Sequence, residues 1–284
     1  MGLTSIDPAA HPGAATVPFE QLQEVPGTLG PWDAELIVHL SEAQRRRSVS
    51  GDLLEIGTWH GRTSVLLGSL ADEGEELQVC DLFETPPPTE AGRRELELGG
   101  RDSICCRDEF EATYERFHEK PPLIHECSSE ELNEAELGPN FRFVHIDGSH
   151  LYETVLHDLA LARSILTKGG IVAIDDIINL GHLGVAAAVW NDALADGVKP
   201  FACTPAKIYA TLDEDDAETY ASVVAEVTQE AGNELRENVV GGTRILATWS
   251  PPPTLRERVV ARARRTLHRI VPWGLVFGPA ALAF

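Results

Sequence analysis

Acidic side chains stand where two short apolar segments end. The segment "FRFVHID" ends at Asp147, and the segment "IVAIDDI" carries Asp175 and Asp176. Neighbouring strands of a sheet lie about 4.8 Å apart, so carboxylates at their ends can converge in one cleft. Converging carboxylates repel one another unless a cation lies between them, and ligands that are all oxygen favour Mg²⁺, Ca²⁺ or Mn²⁺. The alternative is that these acids are solvated separately or cap helices.

A histidine stands beside the first of these acids. His150 follows Asp147 at the predicted start of a helix. The positive end of the helix dipole and a nearby cation would both favour the neutral imidazole, which is the form that a general base needs. The sequence therefore predicts His150 as a base, with a capping or packing histidine as the alternative. His60 and His182 are expected to be incidental.

A glycine turn follows an earlier apolar segment, in "LLEIGTWHGRTS". Glu55 ends the predicted strand, and Gly57 and Gly61 bracket the turn into a helix. Glycine lets the backbone approach a ligand, and the helix start offers free N–H groups. The dinucleotide pattern G-x-G-x-x-G and a phosphate-binding lysine loop are both missing from this stretch. The turn therefore suits a ligand that has no pyrophosphate.

Asp81 ends the next predicted strand, "LQVCDLF". An acid at this position can accept hydrogen bonds from the hydroxyls of a ribose. Together with Glu55 and the glycine turn, Asp81 points to an adenosyl ligand. The alternative is an acid that only ends the strand in water.

Predicted strands and helices alternate along the chain, and the first five strands are short and apolar. This pattern is typical of a parallel sheet that is covered on both faces. Ligands of such sheets bind beyond the carboxyl ends of the strands, where all of these acids lie. We predict an α/β fold with a doubly wound, mostly parallel seven-stranded sheet, an antiparallel last strand and helices on both faces. The seven predicted strands are "GDLLEIG", "LQVCDLF", "PLIHECSS", "FRFVHID", "IVAIDDI", "KIYATL" and "TRILATW".

Composition divides the chain into three parts. Residues 1–30 are rich in Pro, Gly and Ala and are predicted to be a loose arm, and residues 31–250 form the predicted domain. Residues 251–284 form a basic amphipathic tail. Its charged residues are Glu257, Arg256, Arg258, Arg262, Arg264, Arg265 and Arg269. We expect this tail to pack on the acidic surface of its own domain or on a second subunit of a homo-oligomer. Peripheral contact with an anionic membrane is the alternative.

Net charge and cysteine usage exclude several classes of protein. The formal net charge of −22 argues against a nucleic-acid partner. The five cysteines form no CxxC pair, which argues against a zinc site and a disulfide framework. Reduced thiols are typical of the cytoplasm, and the first 20 residues lack the pattern of a signal peptide. We therefore predict a cytoplasmic protein.

Several of these stretches together resemble a known family. The stretches "LLEIGTWHGRTS", "VCDLF", "FRFVHIDGSHLYETVLHDLALARSILTKGGIVAIDD" and "PAKIYATL" are similar to class I (Rossmann-like) S-adenosylmethionine-dependent methyltransferases. The similarity is greatest to the metal-dependent group that includes the macrocin- and mycinamicin-type sugar O-methyltransferases. It covers roughly residues 25–250. The resemblance implies that S-adenosyl-L-methionine contacts Glu55, Gly57, Thr58, Gly61, Ser64, Asp81, Ser128 and Ser129.

The resemblance also implies a metal-assisted reaction. Asp147, Asp175 and Asp176 match the family's ligands for Mg²⁺ or Mn²⁺, and His150 and Asp147 match its catalytic residues. The expected reaction is methyl transfer to a hydroxyl of a small molecule, such as a sugar of a natural product or another vicinal diol. The loops at 84–108 and 177–200, which should shape the acceptor pocket, match no named pattern.

Two other functions compete with this prediction. An NAD-dependent sugar-modifying enzyme could use the same sheet, but the glycine pattern counts against it. A non-catalytic S-adenosylmethionine-binding protein is the second rival. The full set of candidate catalytic side chains argues against this rival, because a site without turnover need not retain all of them.

Overall fold

A single mixed sheet forms the centre of the protein. The computed structural model describes residues 17–99 and 104–251. Within these residues the sheet has nine strands in the order β3-β2-β1-β4-β5-β7-β6-β9-β8. The strands are β1 (Asp52–Ile56), β2 (Leu77–Asp81), β3 (Leu123–Glu126), β4 (Phe141–Ile146), β5 (Leu166–Ile174), β6 (Lys199–Cys203), β7 (Ile208–Thr211), β8 (Glu234–Val240) and β9 (Thr243–Trp249).

The first five strands are parallel, as predicted. Strands β1 and β4 are neighbours, and the chain winds outward from them in opposite directions. The boundary between β1 and β4 is therefore the switch point, where doubly wound sheets bind their ligands. Backbone hydrogen bonds continue past the strand ends, because the Asp147 amide donates to the Ile56 carbonyl and the Asp175 amide donates to the Ile146 carbonyl.

Helices cover both faces of the sheet, as predicted. Leu36, Leu66 and Val224 belong to the buried core on one face, and Leu159 and Val189 belong to the core on the other. The described helices are α1 (Phe19–Leu22), α2 (Pro31–Arg46), α3 (Arg62–Leu70), α4 (Glu90–Gly99), α5 (Arg107–Glu115), α6 (Glu134–Leu137), α7 (Tyr152–Ile165), α8 (Leu183–Leu194) and α9 (Glu214–Glu230).

The sheet is larger than the predicted seven strands. The prediction omitted β6 and β8. Strand β6 is only five residues long and contains Pro200, and β8 is almost wholly exposed at the sheet edge. Neither sequence therefore has the apolar alternation from which strands are predicted. More strands are antiparallel than the single last strand that was predicted. Strand β7 runs antiparallel to both β5 and β6, and β8 runs antiparallel to β9.

The described part of the predicted N-terminal arm is packed rather than loose. Leu22, Val25 and Leu29 are all buried. The Arg62 side chain at the start of α3 donates hydrogen bonds to the carbonyls of Val25, at 2.7 Å, and Leu29, at 3.2 Å. The apolar residues among the prolines and glycines therefore attach residues 17–30 to the domain.

The basic C-terminal tail, apart from its first residue, lies outside the described residues. Its two expected arrangements, against protein or against membrane, stay predictions. None of the helices in the described ranges has the length and the apolar character needed to cross a membrane.

A buried arginine on β4 connects this strand to α2, to the end of α3 and to the loop before β2. Arg142 is fully buried, and its Nε donates to both carboxylate oxygens of Glu75, at 2.9 and 3.0 Å. Its Nη1 donates to the side chains of Ser41 and Gln44. Its Nη2 donates to the Leu70 carbonyl. The cost of burying the charge is offset only while this network is complete.

We predict that Arg142→Met lowers the free energy of unfolding by about 3 kcal/mol or more, because it leaves the partly buried Glu75 carboxylate without its cationic partner. Arg116→Met is the matched control, since Arg116 pairs with Glu24 on the surface and should change stability by less than about 0.5 kcal/mol. Urea unfolding followed by circular dichroism measures both. Equal stability of the two variants would contradict the assigned role of Arg142.

Candidate active site

A cavity of about 810 Å³ lies beyond the carboxyl ends of the parallel strands. Its volume is within the range of sites that bind cofactors and small substrates. Loops that follow β1, β2, β3 and β4 all contribute to its wall. The predicted site residues that line it are Gly57, Asp81, Ser128, Ser129, Asp147 and His150. The structure thus brings the predicted cofactor and catalytic regions to one cavity.

The turn after β1 requires glycine for steric reasons. Gly57 has a φ of +83°, and a Cβ at this position would overlap the backbone carbonyl of Asp147. Gly61 has a φ of +84°, and its Cβ would lie 2.9 Å from the ring of Phe110. Gly57 therefore lets the ends of β1 and β4 approach each other at the cavity wall, and Gly61 starts α3 behind it.

Asp81 holds the loops around this turn together. Its Oδ2 accepts hydrogen bonds from the backbone amides of Thr58, at 2.7 Å, and Trp59, at 3.2 Å. The hydroxyl of Thr58 lies 3.2 Å from the same oxygen, and Oδ1 accepts from the Phe83 amide at 2.7 Å. Asp81 also lines the cavity. Its carboxylate is therefore fixed in place before any ligand hydroxyl reaches it.

Glu55 and Ser64 contact each other behind the cavity wall. Glu55 is buried, the Ser64 hydroxyl donates to its carboxylate, and Nδ1 of His145 lies 3.1 Å from its Oε1. Burial raises the pKa of Glu55 to about 8. Of the predicted cofactor contacts, Glu55, Thr58, Gly61 and Ser64 do not line the cavity. Their placement indicates a supporting role for the turn.

Ser128 and Ser129 follow β3 at the cavity wall. Ser128 caps a single 3-10 turn at Ser129–Glu131, and the Glu131 carboxylate accepts from the Ser128 amide at 3.1 Å. This reciprocal capping fixes the two serines in place.

The inner cluster consists of His145, Asp147, Asp175 and Lys207. Lys207 is buried, its Nζ lies 2.9 Å from Nε2 of His145, and it donates to the Asp175 carboxylate. The sequence prediction missed Lys207, although a lysine that opens the apolar strand "KIYATL" was the available signal. Its ammonium forms an ion pair with the Asp175 carboxylate.

Burial and neighbouring charges shift the pKa values of the inner-cluster residues. Burial would raise the pKa of Asp175, but the Lys207 and His145 side chains lower it below the usual value. Burial would lower the pKa of Lys207, but the surrounding carboxylates raise it. Burial and the neighbouring Asp175 carboxylate raise the pKa of Asp147 well above its usual value. Lys207 is therefore held as a cation and Asp175 as an anion.

The outer cluster consists of Glu95, His150, Asp176 and His182. Oδ2 of Asp176 lies 2.9 Å from Nε2 of His150 and 2.7 Å from Nδ1 of His182. The two imidazole rings stack, with 3.6 Å between their centroids and 18° between their planes. Nδ1 of His150 lies 3.0 Å from Oε1 of Glu95. His182, expected to be incidental, thus contacts the predicted base, and Glu95 was missed because it lies far from His150 in sequence.

His150 does not have the environment that the sequence led us to expect. Burial would lower its pKa, but hydrogen bonds to Asp176 and Glu95 raise the pKa to about 9. The neutral ring was predicted from a helix dipole and a nearby cation. The carboxylates of Asp176 and Glu95 have the opposite effect on the pKa. Both ring nitrogens contact carboxylate oxygens, so neither is free to take a proton from a substrate.

The three predicted metal ligands are not brought together as one group. Asp147 and Asp175 belong to the inner cluster, whereas Asp176 belongs to the outer one. Asp176 has a φ of +61°, and its contacts are with His150 and His182. In the described part of the chain, a third group of metal-binding residue types is formed by His60, Cys105 and Glu109.

We predict that Gly57→Ala disrupts the junction of β1 and β4, because its Cβ has no room beside Asp147. Gly74→Ala is the matched control, since Gly74 also has a positive φ, of +91°, but no atom lies within 4 Å of its Cβ. The control should lose about 1 kcal/mol of stability from backbone strain alone. Thermal unfolding measures both, and an equal loss would contradict the close approach at Gly57.

We predict that Glu55 makes stability fall as the pH rises. Its pKa is about 8 in the folded protein and 4.5 in its ordinary state, so the folded protein binds this proton more tightly than the unfolded chain. The resulting stabilisation is complete below about pH 4.5 and is lost as the pH rises through about 8. Glu55→Gln removes this dependence. Between pH 5 and 8, the free energy of unfolding of the variant therefore rises by a few kcal/mol relative to that of the original protein.

Urea unfolding at several pH values measures this difference. Glu84→Gln, which changes an exposed acid, is the control and should retain the original pH dependence. The same dependence in all three proteins would contradict the raised pKa of Glu55.

The chain is similar to known proteins in part of its sequence and in its fold. A family model described as a methyltransferase domain matches residues 54–177. The solved structure of the O-methyltransferase NovP is similar, with a TM-score of 0.51 and 19% identity, over 63% of this chain and 79% of that chain. The calicheamicin methyltransferase CalS11 has a TM-score of 0.48 and 20% identity, over 68% of this chain and 88% of that chain.

No curated protein sequence matches the chain. The matched residues include β4 and β5, which are followed by Asp147 and by Asp175 and Asp176. Residues 54–177 thus match a methyltransferase domain, and the sheet has the fold of class I, Rossmann-like methyltransferases.

Proposed function

We propose that the protein transfers a methyl group from S-adenosylmethionine to a hydroxyl oxygen of a small molecule. The observation that carries this proposal is the single cavity that Asp81 and Gly57 line together with Asp147 and His150. One region of this cavity suits an adenosyl ligand, and the other contains acids and histidines that suit a hydroxyl.

The cofactor region fits S-adenosylmethionine. Asp81 presents a fixed carboxylate for the ribose hydroxyls, and Ser128 and Ser129 offer hydroxyls near the adenine. Gly57 keeps the wall free of a side chain where the methionine part would lie. The bound cofactor supplies a methyl group on a positively charged sulfur. A nicotinamide enzyme lacks comparable support, since the family match is to methyltransferases.

The acceptor region contains a half-buried acid, Asp147, at the cavity wall. In the proposed step, the acceptor oxygen bonds to the methyl carbon as the carbon–sulfur bond breaks, and that bond's electron pair stays on sulfur. The hydroxyl proton passes to the Asp147 carboxylate. We assign this proton to Asp147 because both ring nitrogens of His150 are engaged by carboxylates. Positioning of the two reactants supplies much of the expected rate gain.

Apolar side chains near the acceptor region support an acceptor with an apolar part. Leu98 and Leu183 line the cavity and are largely exposed, at 82% and 66%. Ile178 and Leu180, in the segment before α8, are exposed as well. A sugar attached to an apolar group would match both the acids and these side chains. We therefore propose a glycosylated natural product or a similar vicinal diol as the acceptor.

The predicted divalent cation has weaker support from the site residues than the methyl transfer itself. Such an ion would polarise the acceptor hydroxyl and orient two adjacent oxygens. The predicted set of three carboxylates fits Mg²⁺ poorly, because Lys207 already neutralises Asp175 and because Asp176 faces two histidines. No step above depends on the ion.

We predict that Asp147→Asn binds S-adenosylmethionine as the original protein does but loses turnover by about 100-fold or more, because the proton acceptor is missing. Calorimetry measures cofactor binding, and mass spectrometry measures methylation of a panel of sugars and catechols. Asp215→Asn at the exposed start of α9 is the control and should retain both properties.

Full turnover in Asp147→Asn would contradict its role in proton transfer. Cofactor binding without methylation of any vicinal diol would favour the rival hypothesis of a non-catalytic S-adenosylmethionine-binding protein.

A further inference from the structure

We propose that His150, Asp176 and His182 bind a first-row transition metal ion in preference to Mg²⁺. One ligand atom from each residue lies within 4.8 Å of the other two. Two imidazole nitrogens and one carboxylate oxygen suit ions such as Mn²⁺, Fe²⁺, Co²⁺ or Zn²⁺, whereas Mg²⁺ favours sets that are all oxygen.

The surroundings of His150 orient it as a metal ligand. The carboxylate of Glu95 accepts hydrogen bonds from the His150 amide, at 2.6 Å, and from the Ser149 hydroxyl, at 2.7 Å. This fixed carboxylate accepts the Nδ1 proton of His150 at 3.0 Å, and a metal ion between Nε2 and Asp176 would take the place of the Nε2 proton. Metal-bound histidines commonly make this contact to a carboxylate through their second nitrogen.

His182 is the third proposed ligand, and it lies at the start of α8, whereas His150 lies before α7. It precedes α8, and its ring stacks on that of His150 with 3.6 Å between the centroids. Both histidines line the cavity, and both are partly exposed, at 24% and 35%. An ion here would keep coordination positions open toward the cavity, which is typical of catalytic sites. An acceptor hydroxyl could occupy one of them.

The inner cluster is a less favourable place for an ion. His145, Asp147 and Asp175 also converge, but the ammonium of Lys207 lies among them, 2.9 Å from His145 and in contact with Asp175. A metal ion at this place would have to displace a buried cation from its carboxylate. In the outer cluster, Asp176 pairs with the two histidines and with no lysine or arginine among the described residues.

This inference deepens the proposed function, since it assigns the ion that would act on the acceptor, but it is tested without cofactor or acceptor. Co²⁺ is added to the metal-free full-length protein, and its visible absorption is recorded. We expect saturable binding that Zn²⁺ reverses and that millimolar Mg²⁺ leaves in place. His182→Ala should weaken Co²⁺ binding by about 10-fold or more.

A further variant tests whether the ion binds elsewhere. His60→Ala, which alters the group formed by His60, Cys105 and Glu109, should leave the affinity for Co²⁺ nearly unchanged. Thermal unfolding confirms that each variant is folded, and Asp176→Asn replaces His182→Ala if the latter is unfolded.

The proposal is overturned if His182→Ala or Asp176→Asn binds Co²⁺ as the original protein does, if Mg²⁺ displaces Co²⁺ at similar concentrations, or if His60→Ala loses the ion. Because calorimetry with S-adenosylmethionine is independent of this titration, failure of the metal site and failure of the methyltransferase proposal are distinguishable.

Discussion

The buried ammonium of Lys207 is the interaction on which the arrangement at the sheet edge depends. It joins β7 to the ends of β4 and β5 through His145 and Asp175. Burial raises the pKa of Asp33 on α2, and the charge of Lys207 offsets part of this effect. Tyr209 and Thr204 donate hydrogen bonds to Asp33, each at 2.8 Å. A charge with so little access to water persists only when its partners are complete, so this network fixes the relative positions of these strands and α2.

This cation divides the acids at the sheet edge into two groups with different chemistry. Asp175 is held as the partner of Lys207, and Asp147 is left beside it at the cavity wall. Asp176, the next residue after Asp175, has a positive φ and contacts the histidines of the outer cluster. Asp175 and Asp176 are thus adjacent in the sequence but belong to different clusters. One cavity can therefore combine a proton acceptor with a separate site for a metal ion.

Local sequence patterns predicted the parallel half of the fold and six of the residues that line the cavity. Short apolar strands that end in Glu55, Asp81 and Asp147 predicted which edge of the sheet binds ligands, because that edge follows from the chain direction alone. Contacts between distant parts of the chain were not predictable in this way. Lys207 and Glu95 belong to this group, because their partners lie on other elements and no local period marks them.

The division of the two clusters is tested most directly by anomalous X-ray diffraction from crystals of the protein grown with Mn²⁺ and S-adenosylhomocysteine. We predict a manganese peak bounded by His150, Asp176 and His182, with Lys207 still in contact with Asp175 and the ligand's ribose at Asp81. A peak between Asp147 and Asp175, with Lys207 displaced, would contradict the central claim that the ammonium takes the place of a metal ion in the inner cluster.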